Sequence, residues 1–399
     1  MAGPPKHDCG MNPCLPDRLF LSLPNINCRT DITGSIWSTQ IIPLWNKVRD
    51  LVQGPEPRTI DSITEALLQA NHIVVNENYE AYQSAKELVF NILGWQTMLY
   101  RANNLARTTD GFSILDEMDG YLGETRLCLH QSSLAGKYDL PSFILGFGMM
   151  LPQKNYCSFD DTEDRKLFNT TKLVNVKEIN AHVLDKVCGV KIQWVDSLSC
   201  HLELDRQTGT LFLYRYASFC VASLQSKSQG ENPISKPVIQ CCGVDASSSL
   251  PWANEADIND LLREVLLSYR LLFGQSRRSR KLFRRLRPFA QTPQELHDRF
   301  LLDICTKKEP KCSINLIERE QYDLVGDFPH LRSRLVRLNS YATAKKPHSV
   351  RQLWKDKRDS TAWLAFWSVI IIGSIGILLG LIQTVLQIMQ YTLTLQQGK

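Results

Sequence analysis

His201, Glu203 and Asp205 are the residues whose types and spacing come closest to a chemical site. If this segment is a β-strand, alternating residues point to one face, so the imidazole and the two carboxylates could ligate a metal together. The alternative is a solvated hairpin face, with Leu202 and Leu204 turned to the core, where facing carboxylates are ordinary. We favour this alternative. The sequence therefore predicts neither a metal nor a cofactor, and the three residues are weak metal candidates.

Short motifs typical of enzymes are missing from the sequence. It holds no Gly-x-Ser-x-Gly turn, no Gly-x-x-x-x-Gly-Lys loop, no dinucleotide-binding glycine pattern and no His-Glu-x-x-His motif. The twelve cysteines are scattered and include no Cys-x-x-Cys pair, which favours reduced thiols over a zinc ribbon or a disulfide scaffold. We therefore predict no catalytic residue.

A run of seven cations lies in the most basic part of the chain, since residues 277–358 hold 21 Lys or Arg against 9 Asp or Glu. If the run is helical, Leu282, Phe283 and Leu286 form an apolar strip beneath the cations, as in segments that lie on anionic lipid. The same charges could bind nucleic acid, or form a solvated face paired with the acidic N-terminal part. A nearby membrane anchor favours lipid over nucleic acid. The basic patch consists of Arg277, Arg278, Arg280, Lys281, Arg284, Arg285 and Arg287.

The C-terminal part of the chain is strongly apolar. No charged residue occurs from Ser360 to Gly398, and residues 362–382 contain hardly a polar side chain. A helix over that segment is roughly 31 Å long, the thickness of the hydrocarbon core of a bilayer, whereas a buried core helix of this length normally has a polar face. We predict a transmembrane helix over residues 360–390, which includes Ala362, Trp363, Trp367, Gly373, Gly376, Gly380 and Ile382.

The flanking charges predict the orientation of this helix. Four cations within residues 351–358 precede it and Lys399 follows it, so the N-terminal side is expected to stay in the cytosol. The first thirty residues show no secretory signal, so we expect a tail-anchored, single-pass protein. The long apolar span favours the endoplasmic reticulum. The Asn169 sequon is then expected to remain unglycosylated.

Small and polar residues recur along the predicted membrane helix at alternating intervals of three and four. This spacing places them on one seam of a left-handed helix pair, and glycines four residues apart let two backbones approach closely. We therefore expect association with a second copy or another helix, although glycine is also common in unpaired membrane helices. The seam consists of Gly373, Gly376, Gly380, Gln383, Gln387 and Gln390.

The rest of the chain predicts a mainly α-helical body with a small antiparallel β-sheet, an α+β class. Helical patterns cover residues 35–52, 61–72, 79–102, 176–188 and 254–274, the last with Asn254 as its N-cap. A capping box at Thr292 predicts another helix that ends near Cys305. Strand patterns cover residues 190–194, 201–205 and 210–216, and the last two form a hairpin.

Changes in composition divide the chain into six predicted segments. A proline-rich, flexible arm precedes two folded regions, a basic juxtamembrane region, the membrane helix and a short tail. The segments are the arm 1–30, a helical region 31–170, an α+β region 171–276 with the hairpin 201–216, the basic helical region 277–359, the membrane helix 360–390 and the tail 391–399.

Three stretches resemble uncharacterised fungal proteins that carry one C-terminal membrane helix. They are Ile192–Leu198 with His201–Glu203, Ser268–Gln275, and Ser349–Arg358 running into Trp363, Phe366 and Trp367. The resemblance covers residues 170–390 and implies a topology, without a reaction or catalytic residues. We therefore expect a membrane-tethered scaffold or protein-recognition module, with a membrane-bound enzyme or a nucleic-acid-binding protein as the alternatives.

Overall fold

The computed structural model shows a mainly helical chain with small β-sheets. The described residues are 35–54, 58–73, 79–103, 111–116, 128–148, 150–157, 159, 161–225, 236–244, 253–290, 294, 297–310, 314–345 and 360–397. The α-helices among them are α1 (Ser35–Gln53), α2 (Ile60–Gln69), α3 (Tyr79–Thr97), α4 (Leu140–Leu145), α5 (Thr162–Thr170), α6 (Val176–Ile179), α7 (Ala181–Lys186), α8 (Ala217–Gln225), α9 (Glu255–Tyr269), α10 (Arg277–Leu286), α11 (Arg299–Thr306), α12 (Arg332–Ala344) and α13 (Ser360–Gln397). The predicted arm over residues 1–30 lies outside the described residues.

Side-chain caps explain where several helices begin. Asn254 caps α9 as predicted, because its side chain accepts from the N–H of Asp257 and the Asp257 carboxylate accepts from the N–H of Asn254. The predicted helix over residues 176–188 is instead two helices. Asn180 is extended, ends α6, and caps α7 by accepting from the N–H of Val183. Its amide therefore starts a new helix where the periodicity alone predicts continuity.

The helix predicted to begin near Thr292 begins later in the structure. Asp298 is the N-cap of α11, and its carboxylate accepts from the N–H of Leu301 at 2.9 Å. The helix ends at Thr306, close to the predicted end. Thr292 itself lies outside the described residues.

In the part of the chain that the structure describes, the largest sheet has three strands and is mixed. The strands are β1 (Gly111–Ser113), β2 (His130–Ser132), β3 (Leu173–Asn175), β4 (Lys191–Val195), β5 (Leu204–Asp205), β6 (Thr210–Tyr214) and β7 (Gln321–Asp323). The predicted hairpin is confirmed, since β5 and β6 pair antiparallel. The prediction of a purely antiparallel sheet is wrong, because β4 pairs parallel with β6, which lies between β4 and β5. The α+β class is confirmed.

One continuous apolar core joins the body from Leu44 to Ala342. Its N-terminal part contains a cluster of aromatic rings, in which Phe90 stacks on Tyr100 with ring centroids 4.6 Å apart. The backbone near Tyr100 also bonds to the segment after β4, where the Leu198 N–H donates to the Met98 carbonyl at 2.7 Å. The N-terminal helices and the sheet region therefore pack as one body.

Helix α9 ends in a π-helical turn, Arg270–Gly274, which places the Arg270 side chain inside the body. Arg270 Nε donates to the Glu318 carboxylate at 2.5 Å. Its Nη atoms donate to three carbonyls at and beyond the end of α11, namely those of Ile304, Lys307 and Lys308, at 2.5, 2.9 and 2.8 Å. One guanidinium thus satisfies carbonyls that a helix C-terminus leaves without intrahelical partners.

Candidate functional sites

Helix α13 contains the predicted membrane helix. A 28-residue stretch, Leu364–Tyr391, is long and apolar enough to cross a bilayer. No residue in the most apolar part of this stretch is buried. The four consecutive residues from Val369 to Ile372 are 70%, 37%, 53% and 70% exposed. Successive residues are about 100° apart around a helix, so apolar surface faces outward in every direction. A candidate membrane span therefore lies where the sequence predicts it.

The glycine side of α13 is open. A Cβ atom built on Gly373, Gly376 or Gly380 meets nothing within 4 Å. A neighbouring helix can therefore approach the backbone closely along this side.

Helix α10 carries the predicted basic patch. Six of the seven cations are exposed, whereas Arg280 is half-buried and donates to the Gly274 carbonyl at 2.5 Å. Among the described residues, no ion pair or hydrogen bond is made by the exposed side chains. With the acidic residues in the described part of the chain, these cations therefore form none of the ion pairs expected for a balanced solvated face. The six exposed cations are Arg277, Arg278, Lys281, Arg284, Arg285 and Arg287.

The apolar side of α10 packs into the body. Phe283 is 1% exposed, and its ring lies edge-on to the rings of Phe273 and Trp194, with centroids 5.2 and 5.7 Å away. Ser279 is fully buried on the same side and donates to the Asn180 amide oxygen at 3.0 Å. The expectation of an apolar strip available to lipid is therefore wrong for Leu282 and Phe283, because the core already covers these side chains.

His201 lies inside the body, so the predicted solvated face is wrong at this position. Nδ1 accepts from the N–H of Tyr214 at 3.2 Å, and Nε2 lies 2.8 Å from Ser268 Oγ. Since the Ser268 hydroxyl donates to the Val265 carbonyl, Nε2 carries the ring proton and donates to Ser268. Burial first, and the charge of Arg334 second, lower the pKa of His201 to about 3. The imidazole is neutral and both ring nitrogens are bonded.

Glu203 and Asp205 each have partners of their own. Glu203 is buried and forms an ion pair with Arg334, with Nε and Oε1 2.9 Å apart. The Asp205 carboxylate accepts from the N–H of Gln207 at 2.8 Å and from the hydroxyl of Thr208 at 2.5 Å, within the hairpin turn. Burial opposes a low pKa for Asp205, but these hydrogen bonds lower it. His201, Glu203 and Asp205 therefore do not converge on a metal site.

The local backbone explains why the alternating pattern misleads. Leu202 has a φ of +64°, in the left-handed region, and β5 begins only at Leu204. The residues from 201 to 203 are consequently not part of a regular strand, and alternation does not decide which side chains are buried.

A different group of candidate ligands lies at the first turns of α9. Carboxylate oxygens of Asp257 and Asp260 and a ring nitrogen of His330 all lie within 4.8 Å of one another. Lys154 Nζ lies 3.0 Å from Asp257 Oδ1 and 3.0 Å from Asp260 Oδ2. This group gives no signal in the sequence, because two aspartates at the start of a helix are ordinary and His330 lies far along the chain.

Neither the protein-family models nor the curated proteins nor the solved structures include a match to this chain. The resemblance to fungal proteins with one membrane helix therefore stays a prediction.

Proposed function

We propose that this chain is a single-pass membrane protein whose folded body is a cytosol-facing scaffold or protein-recognition module. The observation that carries the proposal is the uncovered apolar surface of α13 along the 28 residues of Leu364–Tyr391. Exposing apolar surface to water costs about 25 cal/mol per Å², whereas a bilayer core accommodates a helix of this length and composition. A lipid bilayer around this helix is therefore the simplest way to keep its apolar surface out of water.

The orientation follows from the charges beside the span. Arg351, Lys355, Lys357 and Arg358 lie just before α13, and α13 itself contains no Lys or Arg. Cytoplasmic flanks of membrane helices carry the excess of Lys and Arg, so the body is assigned to the cytosolic side. An endoplasmic reticulum location accords with the length of the span.

The connection to α13 limits how far the body can move from the bilayer. The last described helix before α13 is α12, and fourteen residues, 346–359, lie between Lys345 and Ser360. A fully extended chain of this length reaches about 50 Å. Surfaces of the body can therefore contact the membrane to which α13 is anchored.

The surface proposed for that contact is the exposed face of α10. Each Lys or Arg near an anionic leaflet contributes about 1 kcal/mol of attraction. Since the apolar side of α10 is packed in the core, the contact is electrostatic, without insertion of the helix. Anionic lipid headgroups are thus the proposed partners of the basic patch.

The alternative of an enzyme centred on His201 receives no support from its surroundings. The ring is fully buried, and both nitrogens are occupied by Tyr214 and Ser268. A general acid or base needs a ring nitrogen within reach of a substrate. The role that these contacts support is the positioning of β6 against α9.

The topology can be tested with two glycosylation sites in one chain. Asn169 is exposed on α5 and reports on the body, while an acceptor sequence added after Lys399 reports on the far side of α13. We expect glycan on the added site alone, measured as a mobility shift that a glycosidase reverses. Glycan at Asn169 contradicts the orientation, and glycan at neither site contradicts insertion across a secretory membrane.

The lipid contact can be tested with a body that lacks residues 346–399. Among the described residues, Ala342 is the last member of the apolar core, so the truncation removes no described core residue. Replacing four exposed cations of α10 by Gln should lower the partition coefficient onto anionic vesicles by more than about tenfold, measured by co-sedimentation, and leave neutral vesicles unaffected. The four positions are Arg277, Arg278, Lys281 and Arg284.

A matched control removes four exposed lysines from other elements. An equal loss in the control means that net charge alone drives binding, and no loss in the α10 variant means that this face is merely solvated. Tighter binding to a duplex oligonucleotide than to vesicles at equal salt would favour the nucleic-acid alternative. The control positions are Lys166, Lys172, Lys177 and Lys191.

The membrane helix itself is proposed to pair with a second copy through its glycine seam. Gly376→Leu with Gly380→Leu should abolish the signal in a membrane two-hybrid assay, because the added side chains separate the backbones. Ile377→Leu lies off the seam and should leave the signal unchanged. Equal signals from the three chains would exclude the seam as the contact.

A further inference from the structure

The His330 side chain has a ring nitrogen that its surroundings leave unused. The residue is 2% exposed, and Nδ1 lies 2.6 Å from the Pro152 carbonyl. A carbonyl only accepts, so Nδ1 carries the proton and Nε2 presents a lone pair. Within the described part of the chain, Nε2 has no hydrogen-bond partner, and the nearest acidic atom, Asp257 Oδ1, is 4.0 Å away.

The two aspartates present one oxygen each to the same space. Asp257 Oδ2 accepts from the N–H of Asn254 at 3.3 Å, and Asp260 Oδ1 accepts from Arg263 Nη1 at 3.2 Å. The other oxygens, Asp257 Oδ1 and Asp260 Oδ2, both contact Lys154 Nζ. Each carboxylate is thus oriented by a bond on its outer oxygen, as outer-shell bonds orient ligands in metal sites.

Three electron-pair donors therefore face one another, and a cation between them is electrostatically favourable. The Lys154 ammonium supplies that charge to the two carboxylates, but it makes no bond to Nε2 of His330. The Lys154 side chain is 46% exposed, whereas that of His330 is fully buried. The lysine can leave on its flexible stem, while hydrogen bonds hold the three donors near one another.

We propose that Asp257, Asp260 and His330 bind a divalent transition-metal ion, with Zn²⁺ the best fit, when Lys154 moves out. A neutral imidazole nitrogen with two carboxylate oxygens suits Zn²⁺, whereas Mg²⁺ and Ca²⁺ prefer oxygen ligands alone. Ligand distances of about 2.1 Å bring tetrahedral donor atoms to roughly 3.4 Å from one another, so the group must contract modestly. Three protein ligands leave the fourth position, on the Lys154 side, for water.

The backbone around His330 supports this geometry. The N–H groups of His330 and Leu331 donate to the Glu264 carboxylate at 3.0 and 2.8 Å, and Glu264 lies one turn beyond Asp260 on α9. The loop that carries the imidazole is therefore fixed to the helix that carries the aspartates.

The proposal is tested on the full chain in detergent micelles, with Co²⁺ as the spectroscopic probe for Zn²⁺. We expect one Co²⁺ per chain, with visible bands of nitrogen and oxygen ligation and no thiolate charge-transfer band, and Zn²⁺ should displace it. His330→Asn retains a donor for the Pro152 carbonyl but removes Nε2. It should weaken binding more than about 100-fold, since even outer-shell changes cost 10- to 100-fold.

A second variant keeps the test decisive if His330→Asn fails to fold. Lys154→Met removes the competing ammonium from a half-exposed position and should tighten Co²⁺ binding severalfold. The matched control is Lys307→Met, since Lys307 is also half-exposed and paired with a carboxylate, that of Asp303. Thiolate bands, or equal Co²⁺ affinities in the wild type and the Lys154→Met and Lys307→Met chains, would overturn the proposal and leave an ion-pair cluster around Lys154.

Discussion

His201 and His330 are both buried beside α9, and they differ in the hydrogen bonds that their ring nitrogens form. His201 bonds through both, to Tyr214 on β6 and to Ser268 near the end of α9. Among the described residues, His330 bonds through Nδ1 alone, and its Nε2 faces the aspartates at the start of α9. The two rings therefore hold opposite tautomers. Burial alone does not distinguish a structural histidine from a candidate ligand, whereas the bonding of the second nitrogen does.

The largest expected effect concerns the cations beside the two histidines, because Arg334 should contribute far more to stability than Lys154. Arg334→Met removes the ion pair with the buried Glu203 carboxylate and the hydrogen bond to the His201 carbonyl, and it should lower the free energy of unfolding by about 3–5 kcal/mol. Lys154→Met, at a half-exposed ion pair, should cost less than about 1 kcal/mol. Urea unfolding of the body without residues 346–399 measures both. Similar losses of stability in the two variants would mean that the buried Arg334 pair contributes no more than the half-exposed Lys154 pair.

Acid should destabilise the His201 site. The pKa of about 3 in the folded state lies below that of an unfolded chain, so the unfolded state binds the proton first as the pH falls. The stability contributed by the neutral ring is present above about pH 6.5 and is lost as the pH falls toward 3. Between about pH 7 and pH 4.5, wild type should lose about 2 kcal/mol more than His201→Asn. Parallel losses in the two proteins would mean that His201 titrates normally.

The smallest expected effect compares the two rings directly at neutral pH. His201→Asn and His330→Asn remove similar volumes, but only the first removes a hydrogen bond, that to Ser268. His201→Asn should therefore be the less stable variant by about 1 kcal/mol, measured by urea unfolding in the presence of a chelator. A reversed order would show that Nε2 of His330 contributes to stability without any metal.

Sequence reasoning succeeded where the signal is local. The hairpin turn, the Asn254 cap and the long apolar helix each follow from a few neighbouring residues or from composition. The burial of His201 could not be predicted, because its neighbours are far along the chain: Ser268 on α9, and Arg334 on α12, which donates to the His201 carbonyl at 2.5 Å. The parallel pairing of β4 with β6 and the meeting of His330 with Asp257 likewise depend on contacts between distant parts of the chain.

For the basic patch, the composition correctly predicts where the helix lies, but it does not determine what the apolar side of that helix contacts. The run of cations does form a helix, and its polar face is exposed. The pattern of Leu282, Phe283 and Leu286 does not reveal what covers the apolar side, because a lipid surface and a protein core favour the same amphipathic spacing.

The Arg270 side chain has a consequence for how the body opens. Its guanidinium joins the end of α9 to the backbone beyond α11, so neither segment can separate without leaving a buried charge or unsatisfied carbonyls. We expect these segments to form one cooperative unit, in which amide protons of α11 exchange with solvent at the same opening free energy as those at the end of α9. The eight residues of α11, too few for a stable isolated helix, would thereby share the protection of the longer α9.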